Sequence, residues 1–214
     1  MSRRGRFVVV EGLDGAGTTT QSRLLGEALR AAGRSVHVTA EPSGGPVGSL
    51  IRQVLQKRLG GAPGLGFDAQ ALALLFAADR HDHLSAEVLP RLAAGTDVIS
   101  DRYTLSSLAY QGLTTGDMAW VEAINREAVA PDLTIFLEVR PGLALGRRRA
   151  AATDPELYEV AAFQRKVARS YRRAVERLRQ EGQRVEVLDG ERPVEAVAGG
   201  IAALVAGLRP RRGR

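Results

Sequence analysis

Short apolar segments recur along the chain, and each is followed by a stretch with helical periodicity. None of these segments alternates strictly between apolar and polar residues, which is typical of strands that are buried on both sides. Strands that alternate with helices predict a parallel sheet covered by helices on both faces, and therefore an α/β fold. The predicted strands are residues 6–11, 35–40, 96–101, 133–138 and 184–188.

Helical periodicity fills most of the chain between these strands. The glycine-rich segment at 60–64 is interpreted as a surface connection, because neither of its flanks would make a complete layer alone. With 214 residues, the chain is expected to form a single domain over 1–214. The predicted helices are residues 18–32, 47–58, 68–94, 105–111, 117–129, 141 to about 151, 156–181 and 193–208.

The composition is that of a globular protein, with 44% hydrophobic and 25% charged residues. No apolar run is long enough to cross a bilayer, and no charged leader with an apolar core opens the sequence. The chain has no cysteine, which excludes disulfides and thiolate metal sites. These features predict a cytoplasmic protein with no membrane partner.

The formal net charge of +6 is concentrated at the two ends of the chain. Seven arginines near the ends carry seven positive charges, one more than the net charge, so the remainder of the chain is close to neutral. Basic ends bind polyanions without specificity. We expect disordered ends at 1–5 and 209–214 and no specific nucleic-acid site. The end arginines are Arg3, Arg4, Arg6, Arg209, Arg211, Arg212 and Arg214.

A glycine-rich loop follows the first predicted strand and precedes an amphipathic helix, which is the context of a Walker A motif. Glycine lets phosphate approach backbone N–H groups, and the helix N-terminus adds a favourable dipole. The loop therefore predicts a site for the phosphates of ATP, although a plain strand-to-helix turn is the alternative. Its residues are Gly12, Leu13, Asp14, Gly15, Ala16, Gly17, Thr18, Thr19 and Thr20.

The lysine of the Walker A motif is absent from this loop. The motif places lysine before the hydroxyl residue that ligates Mg²⁺, and here Thr18 takes the lysine position and Thr19 the metal position. A neutral hydroxyl does not stabilise the charge of the transferred phosphoryl group. Either an arginine replaces the lysine, or catalysis is weak.

An aromatic residue and an arginine lie four positions apart in the predicted helix 68–94, where Phe76 and Arg80 share one face. A nucleobase would stack on the ring of Phe76 while Arg80 donates hydrogen bonds to its edge. Core packing is the alternative for Phe76. The arginine on an otherwise apolar face favours a base-binding site.

Polar residues also follow the second and third predicted strands, at the edge where open parallel sheets bind ligands. Asp101 would hold Mg²⁺ through water. Arg102 would bind the phosphate of the second substrate, the acceptor to which a phosphoryl group is transferred. A salt bridge is the usual alternative for such a pair. The other candidates for the acceptor site are Glu41, Pro42, Arg52, Ser107, Tyr110 and Gln111.

Taken in order, the phosphate loop, Glu41-Pro42, the segment 75–80, Asp101-Arg102-Tyr103 and the segment 107–112 resemble the thymidylate kinase family across nearly the whole chain. The resemblance implies a P-loop NTPase sandwich, a homodimer, and ATP-dependent phosphorylation of dTMP to dTDP with Mg²⁺. It also implies that Asp14 contacts the deoxyribose, that thymine stacks on Phe76, and that Arg52 and Arg102 contact phosphate.

The resemblance further implies a mobile lid, here at about 147–159. Arg147 and Arg149 stand at its start and are candidates to replace the missing lysine charge, with a solvated helix face as the alternative. The family's usual arginine between the acidic residues of the lid is not evident. Two other functions therefore stay open: a catalytically impaired nucleotide-binding regulatory protein, and a kinase for another nucleoside monophosphate.

Overall fold

The computed structural model describes residues 4–56, 67–149 and 157–208. Within these residues, five parallel strands form one sheet in the order β2-β3-β1-β4-β5. Each predicted strand is confirmed, with its bounds within one residue of the prediction. The strands are β1 (Phe7–Gly12), β2 (Val36–Ala40), β3 (Asp97–Asp101), β4 (Leu133–Glu138) and β5 (Val185–Asp189).

Helices connect the strands and complete the predicted three-layer α/β sandwich. Within the described residues, no helix is both long and apolar enough to cross a bilayer. The glycine-rich connection at 60–64 and the central part of the predicted lid lie outside those residues. The helices are α1 (Thr18–Ala31), α2 (Pro46–Leu55), α3 (Ala69–His83), α4 (Leu89–Ala93), α5 (Thr104–Thr115), α6 (Met118–Ile124), α7 (Pro141–Arg149), α8 (Leu157–Gln180) and α9 (Val194–Ala206).

Strand β1 lies at the centre of the sheet and is buried along its whole length. Its residues alternate between two apolar clusters, as the pleat of a strand requires. Phe7 and Val9 pack into the smaller cluster, and Val8 and Val10 pack into the larger one. The phosphate loop that follows β1 is therefore anchored between both cores of the molecule.

The predicted helix 68–94 is not continuous. It consists of α3, a π-helical turn at Leu84–Val88 and α4. In the π turn the N–H of Leu89 donates to the carbonyl of Leu84. Pro90 follows at once and has no N–H to offer, so the hydrogen-bond register changes before it.

Helix α6 is also shorter than the predicted helix 117–129. It begins after Asp117, whose carboxylate accepts from the N–H of Trp120 at 2.9 Å, and it ends at Ile124. The side-chain amide of Asn125 donates to the carbonyl of Val121 at 2.7 Å. This side-chain bond competes with the backbone ladder and helps to end the helix.

The basic N-terminal segment is bound to the body of the protein. Arg6 is buried, and its guanidinium pairs with Asp97 at 2.6 Å, so Arg6 is not part of a solvated tail. Arg34 pairs with the same carboxylate at 2.5 Å. Arg4 pairs with Asp132 at 2.7 Å. Residues 1–3 and 209–214 lie outside the described part of the chain.

Candidate active site

The phosphate loop joins the buried end of β1 to the N-terminus of α1. Gly17 precedes the helix with φ 94°, and no side chain caps the first N–H groups of α1. Gly15 has φ 89°, and a Cβ there would lie 2.1 Å from the carbonyl oxygen of Ala144 on α7. Only glycine therefore fits at position 15, and the helix N-terminus carries uncapped donors for an anion.

A cavity of about 690 Å³ opens above this loop, and we call it the donor cavity. Three arginines share its wall with the phosphate loop: Arg102 directly after β3, Arg147 on α7, and Arg192 before α9. A polyanion would therefore meet helix N–H groups and cations together. The lining residues are 14–21, Asp101, Arg102, Arg147, Gly190, Arg192, Val194 and Val197.

The position of the missing lysine faces the donor cavity. Thr18 lines the cavity and is itself buried. Among the arginines of the wall, Arg147 donates to the carbonyl of Gly190 at 3.0 Å. Arg192 is exposed and lines the same wall, and its position in the sequence gave no signal of this location. Arg147 thus lies on the wall where sequence analysis expected a replacement charge, and Arg192 adds a second cation there.

A hydroxyl and a carboxylate meet at the base of the donor cavity. The hydroxyl of Thr19 donates to Oδ2 of Asp101 at 2.5 Å. The other oxygen of Asp101, Oδ1, is buried and has no hydrogen-bond partner among the described residues. Oxygen ligands of this kind suit Mg²⁺, which binds through one or two protein groups together with phosphates and water. The described residues contain no cluster of three or more acidic or histidine side chains that would hold a metal alone.

A second cavity, of about 270 Å³, lies beside the first, and we call it the acceptor cavity. Asp14 and Arg102 line both cavities and thus form the wall between them. Most of the residues predicted for acceptor binding are brought together here. The lining residues are Asp14, Glu41, Pro42, Leu55, Phe76, Arg80, Arg102, Tyr103, Ser106, Ser107, Tyr110 and Gln111.

Arg80 is held in place from several sides. Its guanidinium donates to Glu41 at 2.7 Å and to the hydroxyl of Ser107 at 3.1 Å, and it also donates to Asn125. It lies 5.0 Å from the ring centroid of Tyr103, a cation–π distance. Although only 1% of Arg80 is exposed, the residue lines the acceptor cavity. This is the geometry of a fixed donor at the floor of a binding site.

Glu41 links Arg80 to a buried histidine. Oε1 of Glu41 lies 3.3 Å from Nδ1 of His83, and Nε2 of that ring lies 2.8 Å from the hydroxyl of Thr39. Burial lowers the pKa of His83, but the hydrogen bond and charge of Glu41 outweigh it, so the pKa is raised above its usual value. The carboxylate of Glu41 therefore has a polar partner on each side, Arg80 on one and His83 on the other.

Of two other residues predicted for the acceptor site, only one lines the acceptor cavity. Phe76 is half-buried and lines the cavity, so its ring is not committed to the core. Arg52 does not line the cavity: its guanidinium donates to the carbonyl oxygens of Pro42 and Ser43, at 2.9 and 2.6 Å. It braces the turn after β2, and its predicted contact with phosphate stays a prediction.

Arg102 adopts a backbone conformation that is unusual for a residue with a side chain. Its φ is 74°, in the left-handed region that favours glycine. Its Nη2 donates to Asp14 at 2.7 Å, and its guanidinium lies 5.6 Å from the ring centroid of Tyr110. Non-glycine residues in this region cluster at functional sites, because the surrounding structure must hold them there.

Some residues predicted for the site do not line a cavity, and some residues that line a cavity were not predicted. Gly12 ends β1 and Leu13 packs in the larger core, so both lie below the donor cavity rather than on its wall. The side chain of Arg149 is outside the described part of the chain. Five lining residues were not predicted from the sequence, namely Gln21, Leu55, Tyr103, Ser106 and Arg192. Tyr103 stands in the motif after the third predicted strand, but neither it nor the other four had a role there that the sequence indicated.

Comparison with known proteins extends the resemblance over most of the chain. A family model described as thymidylate kinase matches residues 10–201. The chain is 42% identical over 214 residues to the thymidylate kinase of Thermomicrobium roseum, with 97% of each chain covered. It is 37% identical over 201 residues to the probable thymidylate kinase of Thermococcus kodakarensis, covering 93% of this chain and 96% of that protein. A thymidylate kinase of Ruegeria pomeroyi is 37% identical over 213 residues, with 96% of each chain covered.

Proposed function

Because the chain belongs to the thymidylate kinase family, we propose that it transfers the γ-phosphoryl group of ATP to dTMP and releases dTDP and ADP. The observation that carries this proposal is the shared wall. Asp14 and Arg102 line both cavities, so a donor in one and an acceptor in the other would meet at these side chains. The product would serve dTTP biosynthesis in the cytoplasm.

The triphosphate would lie on the N–H groups of the phosphate loop in the donor cavity. The uncapped start of α1 supports this placement, since helix N-termini bind anions. Arg147 supports it as well, because it lines the same cavity as Thr18 and would supply positive charge that threonine lacks. Arg149 stays a further candidate for that charge.

Mg²⁺ would be held by Thr19 and by Asp101 through water. Oδ1 of Asp101 supports this assignment: it is buried and has no partner within the described part of the chain, and such an oxygen is costly unless a ligand satisfies it. The ion would neutralise the charge that develops on the transferred group. Thr19 and Asp101 line the same cavity as Arg102 and would hold the ion near its guanidinium.

The monophosphate would occupy the acceptor cavity with its base stacked on the ring of Phe76 and the edge of the base hydrogen-bonded to Arg80. Ser107, Tyr110 and Gln111 line the same cavity and would contact the base edge and sugar, while Asp14 would contact the deoxyribose. Arg102 would bind the acceptor phosphate at the shared wall. The attacking oxygen is already anionic, so in-line transfer needs no strong general base and depends on position and charge.

The proposal also covers the assembly of the protein. We infer a single domain that works as a homodimer, with ATP and dTMP as partners and no specific nucleic acid. Sedimentation velocity would measure the oligomeric state directly, and a single monomeric boundary at assay concentrations would contradict the homodimer.

A coupled assay of ADP release with dTMP and ATP tests the central reaction. Wild-type protein is expected to release ADP only when dTMP is present, and Arg102→Ala is expected to abolish turnover without loss of the fold. Tight dTMP binding with no ADP release would support the catalytically impaired alternative. A panel of dUMP, dGMP and dCMP tests the remaining alternative, because faster turnover of any of these would reassign the acceptor.

A further inference from the structure

A fully buried carboxylate lies beneath the shared wall. Glu11 is the fifth residue of β1 and has no exposed surface. Its Oε1 accepts from the N–H of Tyr103 at 2.8 Å and from the N–H of Ser106 at 3.1 Å. Its Oε2 accepts from the hydroxyl of Ser106 at 2.5 Å. The carboxylate thereby ties the end of β1 to the segment that follows Arg102.

A tyrosine from α8 completes this cluster. The hydroxyl of Tyr171 lies 2.8 Å from that of Ser106 and donates to the carbonyl of Gly12 at 3.0 Å. Its ring stacks on Phe136 with centroids 5.0 Å apart, and no part of the residue is exposed. We refer to Glu11, Ser106 and Tyr171 as the Glu11 cluster. A buried polar cluster of this kind is rigid when its members satisfy one another.

The Glu11 cluster contacts one guanidinium. Nη1 of Arg102 donates to the hydroxyl of Ser106 and to that of Tyr171, each at 3.0 Å. The backbone of Arg102 is also held on both sides, since its own N–H donates to Val10 and the next N–H donates to Glu11. Neither Glu11 nor Tyr171 lines the donor cavity or the acceptor cavity. Any effect of these two residues on a ligand must therefore pass through a neighbour.

We propose that Glu11 and Tyr171 are positioning residues that hold the guanidinium of Arg102 toward the acceptor phosphate. This inference rests on the proposed function, which assigns the acceptor phosphate to Arg102. An arginine side chain that is fixed before binding loses less conformational freedom when the ligand arrives. The carboxyl group of Glu11 lies beneath the guanidinium, while Asp14 pairs with the guanidinium at the wall. Burial raises the pKa of Glu11 to about 7 and the charge of Arg102 opposes that rise, which fits an electrostatic coupling of the two groups.

The test compares binding of dTMP with binding of thymidine, which lacks the phosphate. Tyr171→Phe removes one hydroxyl and keeps the buried ring. Calorimetry is expected to show dTMP affinity about five- to tenfold weaker, the effect of one lost hydrogen bond, with thymidine affinity unchanged. In the coupled assay, kcat with dTMP is expected to fall by a similar factor while KM for ATP stays the same.

The matched control removes a hydroxyl from the neighbouring position of the same helix. Ser170 is fully buried, and its hydroxyl has no hydrogen-bond partner among the described residues. Ser170→Ala is expected to leave both affinities and kcat unchanged. Ser106→Ala removes the other hydroxyl that accepts from Arg102 and is expected to act in the same direction as Tyr171→Phe. It serves as the second variant if Tyr171→Phe does not fold.

A double substitution separates a positioning role from a structural one. In an Arg102→Ala background, Tyr171→Phe is expected to cause no further loss of dTMP affinity, since the group through which it acts is gone. An additional fivefold loss there would overturn the inference, as would equal weakening of dTMP and thymidine by Tyr171→Phe, or no weakening of either. Failure of the proposed function has a different signature: wild-type protein that binds dTMP no tighter than thymidine, or releases no ADP.

Discussion

Arg102 combines a side chain that we propose binds the acceptor phosphate with a backbone conformation that favours glycine, at φ 74°. Replacing its side chain by two different small residues separates these properties. Arg102→Gly is expected to be more stable than Arg102→Ala by about 1 kcal/mol, because only glycine adopts the left-handed conformation without a steric cost. Urea denaturation would measure the difference, and both variants are expected to lack turnover. Equal stability of the two variants would contradict a strained backbone at this position.

Thr18 allows a direct test of the missing lysine charge. We expect Thr18→Lys to change kcat by less than about tenfold, because Arg147 and Arg192 already line the same cavity and would supply positive charge to the phosphates. Thr18→Met provides a side chain of similar length without charge and separates the two effects. A rise in kcat of several orders of magnitude for the lysine variant alone would show that no arginine had replaced the lysine.

The site could be predicted where its residues follow strand ends or share a helical face. Asp101 and Arg102 directly follow an apolar run, and Phe76 and Arg80 are four apart, so their proximity is a local property. Glu11 resembles any polar residue at a strand end. Tyr171 lies on the apolar face of an amphipathic helix, and its contact with Arg102 spans 69 positions. The Glu11 cluster forms only because the fold brings α5 and α8 together at the end of β1.

At the scale of elements, one carboxylate joins three strands and a helix. Asp97 begins β3 and pairs with Arg6, just before β1, and with Arg34, just before β2. Arg6 in turn donates to the carbonyl of Val205 on α9 at 3.0 Å. Burial alone would raise the pKa of Asp97, but hydrogen bonds from Arg34 and Arg6 outweigh it and lower the pKa to about 2. The ionised carboxylate therefore stabilises the fold.

Asp97→Asn is expected to lower the free energy of unfolding by about 1–2 kcal/mol at neutral pH. This is less than the pKa shift alone would imply, because the side chain of Arg34 is exposed and water screens its charge. The difference between wild type and variant should be complete above about pH 4 and should shrink as the pH falls toward about 2, because the folded-state pKa lies below the unfolded value. Urea denaturation at several pH values would measure it.

Glu127→Gln is the control for this change in charge. Glu127 pairs with Arg126, and both side chains are at least 75% exposed. Surface pairs of this kind contribute little to stability. A loss of stability in Glu127→Gln as large as that in Asp97→Asn would assign the effect to net charge rather than to the buried pair.

Elements were predicted well where the hydrophobic pattern is continuous and less well where hydrogen bonding changes inside it. The strands follow from short apolar runs between turn residues. The break of the helix 68–94 at the π turn depends on how the backbone accommodates Pro90, since periodicity continues across it. The early end of α6 depends on Asn125, whose side chain also contacts Arg80 from a distant part of the chain.

At the scale of the whole molecule, ligand binding is expected to stabilise the fold by mass action. A dTMP concentration 100 times its Kd should raise the free energy of unfolding by about 2.7 kcal/mol, because only the folded protein presents the acceptor cavity. Thermal or urea denaturation with and without dTMP would measure the shift. Arg102→Ala at the same dTMP concentration should show a smaller shift, and an equal shift would mean that Arg102 does not bind the ligand.

The sequence predicted a parallel sheet with ligands at the carboxyl ends of its strands, and the structure places both cavities there. It did not predict which strands are neighbours. The order β2-β3-β1-β4-β5 puts the phosphate loop of β1 directly beside the end of β3. The meeting of Asp14 and Arg102 is a consequence of that order, because the two residues are 88 positions apart in the chain.

The single wall between the cavities has a practical consequence for inhibitors. A compound that carries adenosine and thymidine on one short phosphate chain would not need a long tether to reach both cavities, because Asp14 and Arg102 line both of them. Once one half is bound, a short tether presents the other half at an effective concentration on the order of millimolar. Such a compound would gain affinity from geometry alone, and lengthening its phosphate chain beyond the span of the wall would progressively remove that gain.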